Sequence, residues 1–209
     1  MGADQESLWV AQARQGNQEA FAKLVEAYQV PVYNLAYRML GSTAEAEDAT
    51  QETFLRVYTR FDTYDPTRKL SSWILSIASH HCVDRLRRRR ESTVSMEEIM
   101  AWRWVPDEKP RPEERVVTRE KSREMRRILD ALPAQYRLVI VLRYWYDMSY
   151  DEIADVTEST VSAVKSRLHR ARQVVASMLE TEDGSDIRGD AAGESAERRL
   201  SPSAVSHSF

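Results

Sequence analysis

The residues best suited to chemistry are cations placed at helical spacing near the C-terminus. From Val161 to Val175 apolar residues recur every three or four positions, and the positions between them include five bases and no acid: Lys165, Arg167, His169, Arg170 and Arg172. Ser149 and Glu152 form a capping-box pattern, which predicts a short helix starting at Tyr150. A polar break at residues 157–160 then offers N-cap residues for the second helix.

A short helix, a turn and a second helix with a basic exposed face form a helix-turn-helix pattern. The second helix of this motif enters the major groove of DNA, which predicts a DNA-binding surface. The alternative is an amphipathic hairpin whose basic face is only solvated, because such patterns have many false positives.

An acidic helix is predicted for residues 45–58. Its expected buried face has the spacing of a core-facing helix and consists of Ala46, Ala49, Thr50, Thr53, Phe54, Val57 and Tyr58. The opposite face consists of Asp48, Gln51, Glu52 and Leu55. This face is either a solvated surface or a docking site for a basic partner, since an apolar side chain lies beside acids.

The segment that follows has turn-forming residues and then a basic helix. Residues 61–70 are predicted to be a loop. The helix after it, capped by Ser71 or Ser72, should bury Trp73, Ile74, Ile77 and Ala78 and end in the basic run Arg85–Arg90. Five arginines within six residues favour phosphate contact, and a solvated helix end is the alternative.

His80, His81, Cys82 and Asp84 are residue types that bind zinc. Neighbouring residues on one helix point about 100° apart, so these four side chains cannot all converge on one ion. We therefore predict a packed thiol and surface histidines, with no metal or cofactor.

Composition sets outer limits on the function. The 209 residues carry a net charge of −3, but residues 180–209 hold seven acids and three bases, so the rest of the chain carries a net +1. No apolar stretch is long enough to insert into a membrane. The single cysteine and the absence of a secretion signal predict a cytoplasmic protein.

The predicted fold is all-α, with two small helical domains joined by a flexible linker and a helix-turn-helix in the second domain. Gly41-Ser42 should separate two helices, and Pro133 suits a helix start. Prolines and charges mark the linker, and a composition rich in Ser, Ala, Gly and charge marks a disordered tail. The domains are residues 1–90 and 116–180, with the linker at 91–115 and the tail at 181–209.

The C-terminal segments 136–143, 149–154 and 164–172 closely resemble the −35-reading domain of bacterial extracytoplasmic-function sigma factors. The resemblance implies that the −35 contacts are Thr160, Ser162, Lys165, Ser166, Arg167, His169 and Arg170. Glu158 stands where the family usually has glycine. If that position needs a positive φ, the substitution costs on the order of 1 kcal/mol.

The N-terminal half carries a separate resemblance to the same family. Residues 46–54 are similar to the sigma-factor helix that docks on the clamp helices of the polymerase β′ subunit, which implies Asp48, Gln51, Glu52 and Leu55 as contacts. Residues 73–78 and 84–88 resemble the −10 segment, which captures an unstacked base. This implies −10 contacts by Asp62, Lys69, His80, Asp84, Arg87 and Arg88. His80 replaces the usual asparagine, and residues 70–72 replace a more typical aromatic and basic start.

Together the resemblances, over about Gln12 to Ser177, imply an alternative sigma factor and not an enzyme. Its expected partners are core RNA polymerase (the β′ clamp helices and the β subunit), promoter DNA and an anti-sigma factor. One alternative is a helix-turn-helix regulator that acts without polymerase. Another is a metal-dependent nuclease using Glu45, Glu47, Asp48 and His80, which is disfavoured because the carboxylates lie partly on different helix faces.

Overall fold

The computed structural model describes residues 3–94 and 124–183, and side chains within 5–90 and 124–179. These ranges contain helices, a 3-10 turn at Phe61–Thr63 and no strand, so the all-α prediction is confirmed. The helices are α1 Ala3–Arg14, α2 Gln18–Leu40, α3 Thr43–Thr59, α4 Leu70–Val94, α5 residues 124–131, α6 Ala134–Tyr144, α7 Tyr150–Val156 and α8 Val161–Asp183. The predicted linker and tail lie almost wholly outside the described residues.

Local capping determines where α2 and α3 begin and end. The Asn17 side chain accepts a hydrogen bond from the Ala20 amide at 3.1 Å, which starts α2. Gly41 ends α2 in the left-handed conformation, with φ at +83°, and Ser42 then caps α3 by accepting from the Glu45 amide at 3.4 Å. The predicted boundary at Gly41-Ser42 is confirmed.

The N-terminal helices α1–α4 pack around α2, which contacts the other three. The predicted face of α3 is largely confirmed, since Ala46, Ala49, Thr53 and Val57 are buried. Tyr58 was wrongly predicted to be buried: 54% of it is exposed. It lies at the last turn of α3, where its ring packs edge-to-face with the ring of Phe21, with the centroids 5.0 Å apart.

Helix α4 begins earlier than predicted. Ser71 and Ser72 lie inside its first turn and do not cap it, since the helix starts at Leu70. Leu70 is 1% exposed, and Trp73 packs against the rings of Phe61 and Tyr64. Burial of these apolar groups on the loop side determines the start of α4, and the serines do not.

The C-terminal helices α5–α8 are organised by α6, whose central residues are apolar around the whole helix. Residues 138–142 are all buried, because α6 contacts α8 on one side and α2 and α4 on the other. Pro133 directly precedes α6, as predicted. Within the described residues, no helix is long and apolar enough to cross a bilayer.

A buried guanidinium joins the two groups of helices. Arg137 of α6 is 5% exposed and donates hydrogen bonds to the Met39 carbonyl at the end of α2 and to Asp130 on α5, whose Oδ1 lies 3.0 Å away. Arg126 donates to the Gly41 carbonyl and lies over the Tyr37 ring. Two cations thus satisfy carbonyls that the end of a helix leaves unpaired.

We expect Arg137→Ala to lower the free energy of unfolding by about 2–4 kcal/mol. The change removes charge-assisted hydrogen bonds and leaves a cavity between α2 and α6. Denaturant unfolding monitored by circular dichroism measures the effect. Arg127→Ala is the matched control, because Arg127 is exposed on the neighbouring helix. Equal stability losses in the two variants would contradict a special role for Arg137.

Candidate functional site

The predicted docking face on α3, formed by Asp48, Gln51, Glu52 and Leu55, is an open surface. Leu55 is 58% exposed, and Asp48 and Gln51 are also exposed. Glu52 is half-buried, and its carboxylate accepts a hydrogen bond from Arg56 Nε at 2.7 Å, which lowers the pKa of Glu52. The face therefore presents an apolar side chain beside charged acids, as a basic partner would require.

The basic run divides into arginines with different surroundings. Arg85 Nε lies 3.4 Å from Glu45 Oε1 and its Nη2 lies 3.5 Å from Asp48 Oδ2, while Arg89 reaches Glu45 at 3.8 Å. Arg87 pairs with Asp84 one turn earlier. The run was predicted as a phosphate-binding surface, but Arg85 and Arg89 connect α4 to the acids of α3.

Arg88 differs from these neighbours. It is exposed, and no described residue forms an ion pair with it. Arg88 is therefore a cation of the basic run that is open to a phosphate.

The His80–Asp84 group shows no convergence. Cys82 is fully buried, and burial raises the pKa of its thiol to about 12. His81 is half-buried with a lowered pKa, mainly because burial disfavours the imidazolium, and nearby Arg56 adds to this effect. Among the side chains described, no three His, Cys, Asp or Glu residues are grouped as metal ligands would be.

The loop before α4 holds its shape by internal hydrogen bonds. The Asp65 carboxylate accepts from the Thr67 amide at 2.9 Å, an arrangement typical of a turn. Tyr64 is 5% exposed, and its hydroxyl donates to the Arg68 carbonyl at 2.6 Å. The buried tyrosine thus fixes the backbone next to Lys69, a predicted −10 contact.

Arg14, which sequence reasoning missed, supports this loop from α1. Its Nη2 donates to the Tyr64 carbonyl at 2.7 Å and lies 3.5 Å from the Asp62 carbonyl. Both acceptors are backbone atoms about fifty residues away, so no local pattern could reveal them. Asp62 itself is exposed on the 3-10 turn.

The C-terminal helices cover the start of α4. Lys69 Nζ lies 2.5 Å from Glu152 Oε1, and Arg68 Nη2 donates to the Asp155 carbonyl at 3.2 Å. His80 Nε2 lies 3.9 Å from a carboxylate oxygen of Glu158. Two predicted −10 residues, Lys69 and His80, therefore face acids of α7 and of the turn after it.

The helix-turn-helix has the predicted local structure. Ser149 and Glu152 form a complete capping box, and Thr160 caps α8 by accepting from the Ala163 amide at 3.2 Å. Glu158 has φ at +48°, a left-handed conformation that costs on the order of 1 kcal/mol in a non-glycine residue. The turn thus has a left-handed residue at the position where the family usually has glycine.

The stripe of α8 formed by Val164, Leu168, Ala171 and Val175 is buried, so the opposite face is open. Most predicted −35 residues are exposed on this helix or at its cap: Thr160, Ser162, Lys165, Ser166, His169 and Arg170. Arg167 is half-buried. The exposed residues thus form a polar and cationic surface away from the buried stripe of α8, and Arg167 lies at its edge.

Two family models match separate parts of the chain. The model for Sigma-70 region 2 matches residues 24–92, and the model for Sigma-70 region 4 matches residues 122–174. The first covers most of the N-terminal helices, including the docking face and the basic run. The second covers the helix-turn-helix.

Whole-chain comparisons agree with these matches. The chain is 35% identical over 176 residues to the ECF RNA polymerase sigma factor SigW of Bacillus subtilis, covering 81% of this chain and 94% of SigW. It is 30% identical to the sigma factor CnrH of Cupriavidus metallidurans, covering 86% of this chain and 96% of CnrH. The solved structure of CnrH in complex with the cytosolic domain of CnrY has a TM-score of 0.63 and 26% identity, covering 85% of this chain and 99% of that chain.

A second solved structure, the Bartonella quintana sigma factor RpoE in complex with the anti-sigma factor NepR, shares the fold with a TM-score of 0.58. The sequence identity is 20%, and the match covers 77% of this chain and 96% of that chain. The chain therefore matches both sigma-70 regions in the same order, and it matches its relatives over nearly their whole length. The chain belongs to the extracytoplasmic-function group of sigma-70 factors, the transcription initiation factors that direct RNA polymerase to promoters.

Proposed function

We propose that this chain docks on core RNA polymerase through Asp48, Gln51, Glu52 and Leu55, and reads promoters at −10 and −35 with separate helices. The proposal rests on the presence of two different open faces in one chain. Helix α3 has an acidic face with the exposed side chain of Leu55, and helix α8 has a cationic face. Acids with an exposed leucine suit a basic protein partner, whereas cations without acids suit phosphates. The chain acts in the cytoplasm and supplies promoter specificity, whereas the polymerase carries out RNA synthesis.

An anti-sigma factor is the third proposed partner. CnrH and RpoE, which share this fold, were each solved with a protein bound, the CnrY cytosolic domain and the anti-sigma factor NepR respectively. The N-terminal and C-terminal helices of this chain contact each other, so a partner that binds beside their interface can touch both groups of helices.

Two other functions are less well supported. A regulator that acts without polymerase would have no use for an open docking face on α3. A nuclease would need Glu45 and Asp48 to converge with His80, but both carboxylates face Arg85. Gel shift without polymerase and a divalent-metal cleavage assay test these alternatives directly.

In vitro transcription with core polymerase over a randomised promoter library tests the proposal. We expect transcripts whose templates share two sequence elements. A complete lack of chain-dependent transcripts, at concentrations where the chain is folded, would overturn it.

We expect Leu55→Ala to weaken binding to core polymerase by about tenfold. An exposed leucine at the centre of an interface contributes on the order of 1–2 kcal/mol when buried by a partner. Fluorescence anisotropy of labelled protein titrated with core polymerase measures the affinity. Leu8→Ala, which truncates a similarly exposed leucine on α1, is the matched control and should bind normally. Glu52→Lys should weaken binding as well.

Arg88→Ala should weaken the binding of the holoenzyme to many promoters alike, and it should lower the salt dependence of that binding. One lost phosphate contact reduces the slope of log affinity against log salt by about 1. Lys165→Ala and Arg170→Ala should instead act mainly through the −35 element. A changed preference among −10 sequences in Arg88→Ala would contradict the phosphate role.

Arg14→Ala should slow promoter melting by roughly three- to tenfold while core binding stays unchanged. The loss of its hydrogen bonds to backbone carbonyls leaves the loop before α4 less ordered. Arg14→Lys, which can still donate to the Tyr64 carbonyl, should be intermediate. Melting is followed with a fluorescent base analogue at −10, and equal defects in core binding and melting would reject this positioning role.

A further inference from the structure

Two arginines of α4 face two acids of α3. Arg85 and Arg89 lie four positions apart on α4, and Glu45 and Asp48 lie three apart on α3, so each pair occupies one side of its helix. Arg85 contacts both acids, and Arg89 contacts Glu45. The two helices are therefore joined by a charge network, and one member of that network, Asp48, belongs to the docking face.

The network runs from a sheltered anchor to an open end. The exposed fraction of the side chain is 28% for Glu45, 34% for Arg85 and 67% for Asp48. Glu45 is also fixed through its backbone, because its amide donates to the Ser42 side chain at the start of α3. Arg85 is thus held from the sheltered side, while the carboxylate of Asp48 stays accessible to a partner.

Arg85 binds the two carboxylates through different nitrogens. Its Nε faces Glu45 and its Nη2 faces Asp48, a forked arrangement that the single ammonium of a lysine does not reproduce. Among the residues that the structure describes, Arg85 is the only cation in an ion pair with Asp48. Without Arg85, Asp48 would face the like charge of Glu45 and would spread over several rotamers in solvent. A partner would then have to order this side chain on binding.

The other docking carboxylate also has a guanidinium beside it. Arg56 lies one turn after Glu52 on α3, and its Nε is 2.7 Å from Glu52 Oε1. Both groups are partly exposed, so this contact orders the carboxylate without covering it. Each acid of the docking face is therefore held by an arginine, from within α3 for Glu52 and from α4 for Asp48.

We propose that Arg85 is a positioning residue for polymerase docking, which holds the Asp48 carboxylate in place from α4 without itself touching the polymerase. This inference rests on the proposed function. It assigns one arginine of the basic run to protein binding, while Arg88 remains the cation open to a phosphate. The docking face on α3 then depends on support from α4.

The sign of the effect of Arg85→Ala separates positioning from simple attraction. The variant makes the face more acidic, so long-range attraction alone would tighten its binding to a basic partner. Loss of positioning weakens binding instead. We expect the affinity for core polymerase to fall by roughly three- to tenfold, which corresponds to the ordering of one side chain. Fluorescence anisotropy of the labelled full-length chain, titrated with core polymerase, measures this affinity.

Arg90→Ala is the matched control. Arg90 is exposed on the same helix, and five positions after Arg85 it points about 140° away from it. The control removes the same charge and should not weaken core binding. Arg85→Lys keeps the charge but loses the fork, so its affinity should lie between those of the wild type and Arg85→Ala.

A double-mutant cycle with Asp48→Asn tests whether Arg85 acts through Asp48. Asp48→Asn alone should weaken core binding. Addition of Arg85→Ala should then cause little further loss, because no charged carboxylate remains to be positioned. Additive losses would overturn the proposal, since Arg85 would then act by direct contact or by a general effect on the fold. Circular dichroism checks that each variant is folded, and Arg85→Gln replaces Arg85→Ala in the cycle if the alanine variant is not.

Unchanged or tighter core binding by folded Arg85→Ala would also overturn the proposal. So would a lowered salt slope of promoter binding at saturating core polymerase, because that result would make Arg85 a phosphate contact. Each of these results leaves the proposed function intact if Leu55→Ala still weakens core binding. Loss of all chain-dependent transcription would reject the proposed function itself.

Discussion

The buried guanidinium of Arg137 is the interaction on which the arrangement of the helices depends. It satisfies the end of α2 while belonging to α6, so it joins helices that are adjacent in space but about a hundred residues apart in sequence. Because residues 138–142 are apolar around the whole helix, α6 buries side chains against α2 and α4 as well as α8. The position of α6 then places α7 over the loop before α4.

The charged side chains of this protein differ in burial, and their contacts differ in strength accordingly. Arg137 is removed from water, so its hydrogen bonds are costly to break and determine the structure. Lys69 and Glu152 remain partly accessible, so their contact is weak and exchangeable, and Arg88 is exposed. A protein that must hold its fold but change partners needs both kinds. The exposed acids and bases are the groups that polymerase and DNA can compete for.

Basic residues close together in sequence therefore differ in role. Arg85 and Arg89 connect α4 to the acids of α3, including Asp48 of the proposed docking face, whereas Arg88 faces solvent. The docking face and the basic run are thus electrostatically connected through Arg85. A partner that binds Asp48 acts on a carboxylate that already has a cation beside it.

Local signals in the sequence determined the helix types, the Gly41-Ser42 boundary, the capping box at Ser149 and Glu152, and the two surfaces on α3 and α8. These depend on backbone geometry and periodicity within a few residues, which a single sequence displays. Tertiary structure alone decided the start of α4, the exposure of Tyr58, the loop support by Arg14 and the contact of Lys69 with Glu152. Long side chains and apolar rings choose these partners only after the helices pack, because the partners are dozens of residues away in the chain.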